Sequence, residues 1–295
     1  MANFDIYETI TERIIAELET GIIPWQKPWT GCADRAISHE TGRPYSLLNQ
    51  MLLAKPGEYI TFNQCKKEGG KVKKGAKAKI VVFWKIIPTE KKNAAGEIVT
   101  AADGKPVLDT IPVLKYYNVF HIEDCEGIQP KYSTPESITH ADPVEYAEKT
   151  FENYLQRSGV RFENAPQDRA FYSPSRDLIS LPRMDQFPST AEYYSTLFHE
   201  ATHSTGHKSR LNRFSQNALD AAFGSESYSK EELVAEIGAA AIMNNLGMET
   251  AGSFRNSAAY IQSWLRALKN DKRLIVSASA RAEKAVRLIL NLQEA

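Results

Sequence analysis

The chain has 295 residues, balanced at 36 basic and 36 acidic side chains, with 42% hydrophobic residues. That composition excludes a disordered or collagen-like chain, and the length allows two domains with ample core and no disulfide staples. No apolar run approaches the roughly 18–20 residues of a membrane span, so no membrane partner is expected.

Asp5, Glu8 and Glu12 put charge at the start of the chain, which argues against a secretory leader. The three cysteines, Cys32, Cys65 and Cys125, form no CxxC pair, which points to a reducing, cytoplasmic setting and no cysteine-based zinc site. Ile6, Ile10, Ile14 and Leu18 recur every four residues and predict a first helix, stopped at Gly21. The segment Ile23-Pro24-Trp25-Gln26-Lys27-Pro28-Trp29 follows, and its prolines do not continue a helix. Lys79 to Ile87 reads as a buried strand and Val113 to Ile122 as its antiparallel partner. Between them, Glu90 to Pro106 is rich in Ala, Gly, Lys and Asp and reads as a mobile hairpin insertion.

Gly127, Pro130, Ser133, Thr134, Pro135 and Ser137 interrupt any periodic pattern and predict a boundary. The expected division is a first domain over 1–128, a linker over 129–143 and a second domain over 144–295. In the second, helices are predicted near 144–158, 190–205, 230–246, 254–269 and 278–292. A short hairpin is expected between Arg169 and Leu181, turning at Pro174 to Asp177. The fold class is therefore α+β: an α+β N-terminal domain followed by a mainly helical domain with a small sheet.

The sharpest motif is His199-Glu200-Ala201-Thr202-His203. On a helix, His199 and His203 project from one face and can share a zinc ion, while Glu200 beside them can take a proton from water. Ser189 and Glu192 offer a capping box before this helix and Gly206 a stop after it. Two candidates compete for third ligand. Glu232, 29 residues after His203, suits a second helix returning beside the first, with Glu231 or Glu236 as fallback; its other reading is a capping box with Ser229. His207, just past Gly206, is the second. Glu236 lies one turn beyond Glu232 and could accept a hydrogen bond from a ligand imidazole. Tyr228 and Tyr260 are candidate donors to an oxyanion. The strand Leu178-Ile179-Ser180-Leu181 could pair with an extended peptide along its edge.

Zero net charge hides a local excess. From Lys55 to Lys92 there are eleven lysines against three acids, and Lys66, Lys67, Lys71, Lys73, Lys74 and Lys77 crowd into one glycine-broken stretch. Together with Trp25, Lys27, Trp29 and Phe62, and with Trp84, Tyr116 and Tyr117 near the predicted sheet, they form the ingredients of a single-stranded nucleic-acid surface. The alternative is a solvated lysine loop over tryptophans that pack as core.

These residues resemble a known family. Asp5-Ile-Tyr-Glu-Thr-Ile-Thr-Glu-Arg-Ile-Ile, Pro24-Trp25 with Pro28-Trp29, Tyr45-Ser-Leu-Leu-Asn49, and Thr61-Phe-Asn-Gln-Cys65 with Val72-Lys-Lys-Gly75 are similar to the N-terminal domain of ArdC-type antirestriction proteins. The same module resembles the start of some conjugative-plasmid primases. His199 to His207, Arg210-Leu211, Glu231 to Glu236 and Tyr260-Ile-Gln-Ser-Trp264 resemble that family's zincin-like metallopeptidase domain; Phe120-His121 stands where a Phe-Asn pair is expected. The resemblance implies a plasmid-encoded protein that binds single-stranded DNA and protects it from the recipient's restriction enzymes during conjugation. It supports His199, His203 and Glu232 as ligands, and Trp25, Trp29 and the lysines from Lys66 to Lys77 as DNA contacts. Two readings follow. In one, a zinc peptidase, whose site could also take Mn2+, acts on a protein of the restriction machinery with Glu200 as base. In the other, a DNA-covering protein carries a structural or vestigial metal site.

Overall fold

The computed structural model describes residues 4–26, 35–53, 55–101, 103–132, 142–214, 226–248 and 258–293. The chain resolves into two compact units: Met1–Tyr59 with Gln129–Ala295, and Ile60–Ile128. None of the helices, among the described residues, is long and apolar enough to cross a membrane.

The discontinuous unit opens with helix α1 (Ile6–Glu19), capped by Asp5, whose side chain accepts the amides of Tyr7 and Glu8. Strand β1 (Ala36–Ser38), helix α2 (Leu47–Leu53) and strand β2 (Gly57–Thr61) follow, with β1 and β2 parallel. After the chain returns come α4 (Pro143–Ser158), β7 (Arg161–Asn164), β8 (Phe171–Ser173), β9 (Leu178–Leu181), α5 (Thr190–Ser204), α6 (Glu226–Asn245), α7 (Ala258–Asn270) and α8 (Leu274–Leu290). Their inward faces form one core around Phe151, Tyr154, Ile179, Phe198, Ile242 and Leu246. The hairpin turn and the helices α4 and α5 stand where the sequence predicts them; α6 and α8 each begin four residues earlier than expected, and positions 254–257 of the helix predicted over 254–269 lie outside the described residues.

The inserted unit contains α3 (Phe62–Lys67), β3 (Lys71–Val72), β4 (Lys79–Glu90), β5 (Leu108–His121) and β6 (Cys125–Glu126). Strands β4 and β5 are antiparallel over twelve consecutive pairs. They run further than predicted, β4 reaching Glu90 and β5 starting at Leu108, with the Lys91 amide donating to the Val107 carbonyl just beyond the last pair; the rest of the Glu90 to Pro106 segment folds back on itself through bridges at Lys92↔Ile98 and Thr100↔Pro106. Cys65 and Cys125 are free and buried in a small core with Ile60 and Ile128.

The chain does not compact along the expected linear division. Residues 1–59 group with 129–295, and Trp25 shows why: it is completely buried, edge-on to Trp264 of α7 with ring centroids 5.1 Å apart. The amphipathic face of α1 packs on α7 in the same unit, so Ile10, Ile14 and Leu18 bury there.

Candidate functional site

Helix α5 begins where Ser189 accepts the amide of Glu192 at 3.2 Å, and it ends with Thr205 as cap. Past the cap, the ring of Phe214 lies so close to Gly206 that an added Cβ would come within 2.6 Å of it. On the inner face of α5, His199 and His203 bring their Nε2 atoms to 3.0 Å. Helix α6 runs alongside and delivers Glu232, whose carboxylate oxygens lie 3.6 Å from His199 Nε2 and 3.2 Å from His203 Nε2. The ligand atoms of these three residues all lie within 4.8 Å of one another.

The far sides of both imidazoles face carboxylates. His199 Nδ1 is buried and lies 3.3 Å from Glu236 Oε1, in contact but out of hydrogen-bond alignment. His203 Nδ1 lies 3.5 Å from Glu231 Oε1. Arg213 holds Glu231 in turn, through contacts of 2.6 and 3.2 Å, and also donates to Thr205 Oγ1 and the Thr202 carbonyl. In the neutral imidazoles, carboxylates at Nδ1 favour the proton on Nδ1, which leaves the Nε2 lone pairs free for a metal on the side that faces Glu232. Two imidazoles and one carboxylate, with outer carboxylates behind them, are a donor set that fits a divalent metal ion. Burial opposes a charge on His203, but Glu231 and Glu232 outweigh it and lift its pKa to about 10. Burial likewise works against charge on Glu231 and Glu232, and the facing histidines override it and hold both below the usual carboxylate range.

Glu200 is buried on α5 between the two histidines in sequence, and Glu232 and Glu236 face the same pair from α6. His207 stands apart from the three converging residues: its Nδ1 contacts Ser209 Oγ at 2.7 Å and Asp177 Oδ2 at 3.8 Å. The side chains of Tyr228 and Tyr260 lie outside the described residues. Glu231 as a support and Arg213 behind it were missed; the doubled Glu231-Glu232 was the available signal, while Arg213 gave none. One expectation is corrected: β9 is the central strand of the order β7-β9-β8, paired on both sides, so it has no edge for a peptide.

The expected DNA contacts divide. Trp25 is corrected to a core residue, because a completely buried ring has no face for a base. Lys27 and Trp29 lie outside the described residues. Phe62, Lys66 and Lys67 are exposed on α3, as are Lys71, Lys73, Lys74 and Lys77 after it. Lys73 Nζ donates to the Glu123 carbonyl at 2.7 Å. Trp84, Tyr116 and Tyr117 are close to half exposed on β4 and β5.

The crystal structure of the antirestriction protein ArdC from plasmid R388, with Mn(II) bound, matches this chain at a TM-score of 0.72 and 36% identity, covering 98% of each chain. The chain belongs to the ArdC antirestriction family. The metal-free ArdC structure matches with a TM-score of 0.71 at the same identity, over 99% of this chain and all of that one. Family profiles agree: residues 4–120 match the N-terminal domain of anti-restriction factor ArdC, and 149–281 a zincin-like metallopeptidase. A DNA primase, TraC of Escherichia coli, is 36% identical over 98% of this chain, which spans only 20% of the primase's length.

Proposed function

We propose that this ArdC-family protein binds single-stranded plasmid DNA in the cytoplasm and hydrolyses a protein of the host restriction machinery, so protecting DNA that enters by conjugation. The observation that carries the reading is the convergence of His199, His203 and Glu232, backed by Glu231 and Glu236 and with Glu200 buried beside them. A divalent ion held by those three residues, zinc or the Mn(II) found in the R388 protein, would supply Lewis acidity at the substrate carbonyl. Glu200 takes the proton from the attacking water and returns it to the departing amide nitrogen. Glu231 and Glu236 orient the histidines. The exposed lysines of the inserted unit support the DNA-binding half of the reading.

The test is plasmid establishment in a restricting recipient, comparing wild type with Glu200→Gln at matched protein levels. The substitution removes the base, spares every proposed ligand, and should cost about 10²–10⁴-fold in hydrolysis. Loss of protection with metal content retained is the expected outcome. Unchanged protection would remove proteolysis from the function and leave DNA covering as the activity.

A further inference from the structure

The ladder of β4 and β5 divides the exposed aromatics of the inserted unit in a way their order along the chain conceals. Its register is unbroken from Lys79↔Val119 to Glu90↔Leu108, so side chains alternate strictly between two faces. Val81, Val82, Leu114 and Val119 are buried at the root of the pair. Over the paired positions 79–87 and 111–119, one face carries Lys79, Phe83, Lys85, Lys115 and Tyr117: three cations, two aromatic rings and no acid. The opposite face of the same stretch carries Trp84 and Tyr116 among Ile80, Ile86, Pro112 and Asn118, and no charge.

Phe83 and Tyr117 are 46% and 49% exposed, with centroids 5.9 Å apart at an angle of 67°. Lys115 pairs directly with Phe83, and Lys79 is one pleat from the partner of Tyr117. A single strand is gripped where bases find aromatic faces and phosphates find cations within the reach of one side chain. Only one face of this ladder offers both. The geometry points to the Lys79, Phe83, Lys85, Lys115 and Tyr117 face as the surface that binds single-stranded DNA, with two bases against the rings and the phosphates along the lysines. This inference rests on the single-strand reading above and assigns it a surface that Trp25, being core, cannot provide.

Anisotropy of a labelled oligo-dT of about 12 nucleotides, titrated with the full chain across a salt series, tests it. Phe83→Ala with Tyr117→Ala should weaken binding about tenfold or more, at roughly 1–3 kcal/mol per stacked base. Trp84→Ala with Tyr116→Ala, on the uncharged face, should stay within about twofold of wild type. Lys85→Gln with Lys115→Gln should flatten the slope of log K against log salt by about 1.4, at about 0.7 per phosphate contact. This charge pair keeps the test open should the aromatic double variant lose its thermal transition. The assignment is overturned if the uncharged-face variant loses binding while the other keeps it, or if wild-type affinity and slope survive all three changes. In either case binding itself stands and belongs elsewhere. Wild type that fails to bind the oligonucleotide at about 50 mM salt would instead defeat the single-strand reading itself.

Discussion

Arg210 lies seven residues past His203, with a side chain only 4% exposed. Its guanidinium donates to the carbonyls of Ser204 at 2.8 Å and Ser158 at 3.2 Å, to Tyr172 Oη at 3.2 Å and to both carboxylate oxygens of Asp177. One buried cation thus ties the end of the metal-bearing helix to the end of α4 and to the turn between β8 and β9. Asp177 sits at φ 46°, a left-handed position that Asp and Asn tolerate better than most residues. Burial pushes its carboxyl pKa up, but Arg210 and the Tyr172 hydroxyl outweigh that and hold it below the ordinary value. Asp177→Asn keeps the backbone preference and the shape while removing the charge. We expect it to cost about 2–3 kcal/mol at pH 7, less than the about 3–5 of a wholly buried pair because Asp177 remains a quarter exposed. A lowered pKa contributes stability that is present above the unfolded value near 3.9 and is lost as pH falls through the folded one. The gap between wild type and variant, measured by urea denaturation, should therefore be widest at neutral pH and close below about pH 4. The turn at Asp177 was legible from Pro174 onward, but its tie to Arg210 was not, because 33 residues separate them and no local pattern links them.

The alignment of α5 with α6 builds the metal centre, and a glycine sets its closeness. A Cβ at Gly238 would meet Thr202 Cγ2 at 2.7 Å and its Oγ1 at 2.9 Å. Thr202 cannot yield easily: it is completely buried, stiff at χ1, and its hydroxyl donates to the Phe198 carbonyl at 2.7 Å. Gly238→Ala should force the helices apart, cost about 1–3 kcal/mol, and draw Glu232 and Glu236 away from the histidines. Metal affinity, read by competition with a chelator, should fall about tenfold or more, and Thr202→Ala in the same chain should restore most of it. Unchanged affinity in Gly238→Ala would mean that helix spacing does not control the site. At this scale the sequence is most informative where spacing is local. The i, i+4 histidines, the Ser189 cap and the return of Glu232 on a second helix can all be read from periodicity. Strand order cannot, which is why β9 reads as an edge while it lies at the centre, and why the two faces of β4–β5 merge in the linear sequence. Gly238 is likewise silent until Thr202 is seen against it.

At the scale of the whole molecule, one unit is interrupted by another. The chain leaves the first unit after Tyr59 and returns at Gln129, and Glu58 marks the junction. Its buried carboxylate accepts the amides of Lys131 at 3.2 Å and Tyr132 at 2.8 Å and contacts His39 Nδ1 at 2.5 Å, while the Tyr132 ring packs on Gly42. Departure and return are therefore adjacent. The N-terminal helix is bound into the same unit by Trp25 against Trp264, by Thr11 Oγ1 donating to the Lys272 carbonyl at 2.8 Å, and by Glu19 with Lys269. This arrangement separates two truncations that the linear division treats alike. Residues 144–295 alone would lose the cover over Trp264 and the α1 partner of α7, and should aggregate or melt without a cooperative transition. Replacing residues 60–128 with a short Gly-Ser linker closes a gap that the Glu58 contacts already span, at little loop-closure cost. That variant should melt cooperatively, bind divalent metal with affinity close to the full chain, and lose binding to oligo-dT. A 144–295 fragment that folds and holds metal as well as the linker variant would show that α1 and Trp25 are dispensable to the metal-bearing fold. Failure of both would show that the inserted unit is needed for folding, and the metal and DNA surfaces could then not be assigned to independent parts.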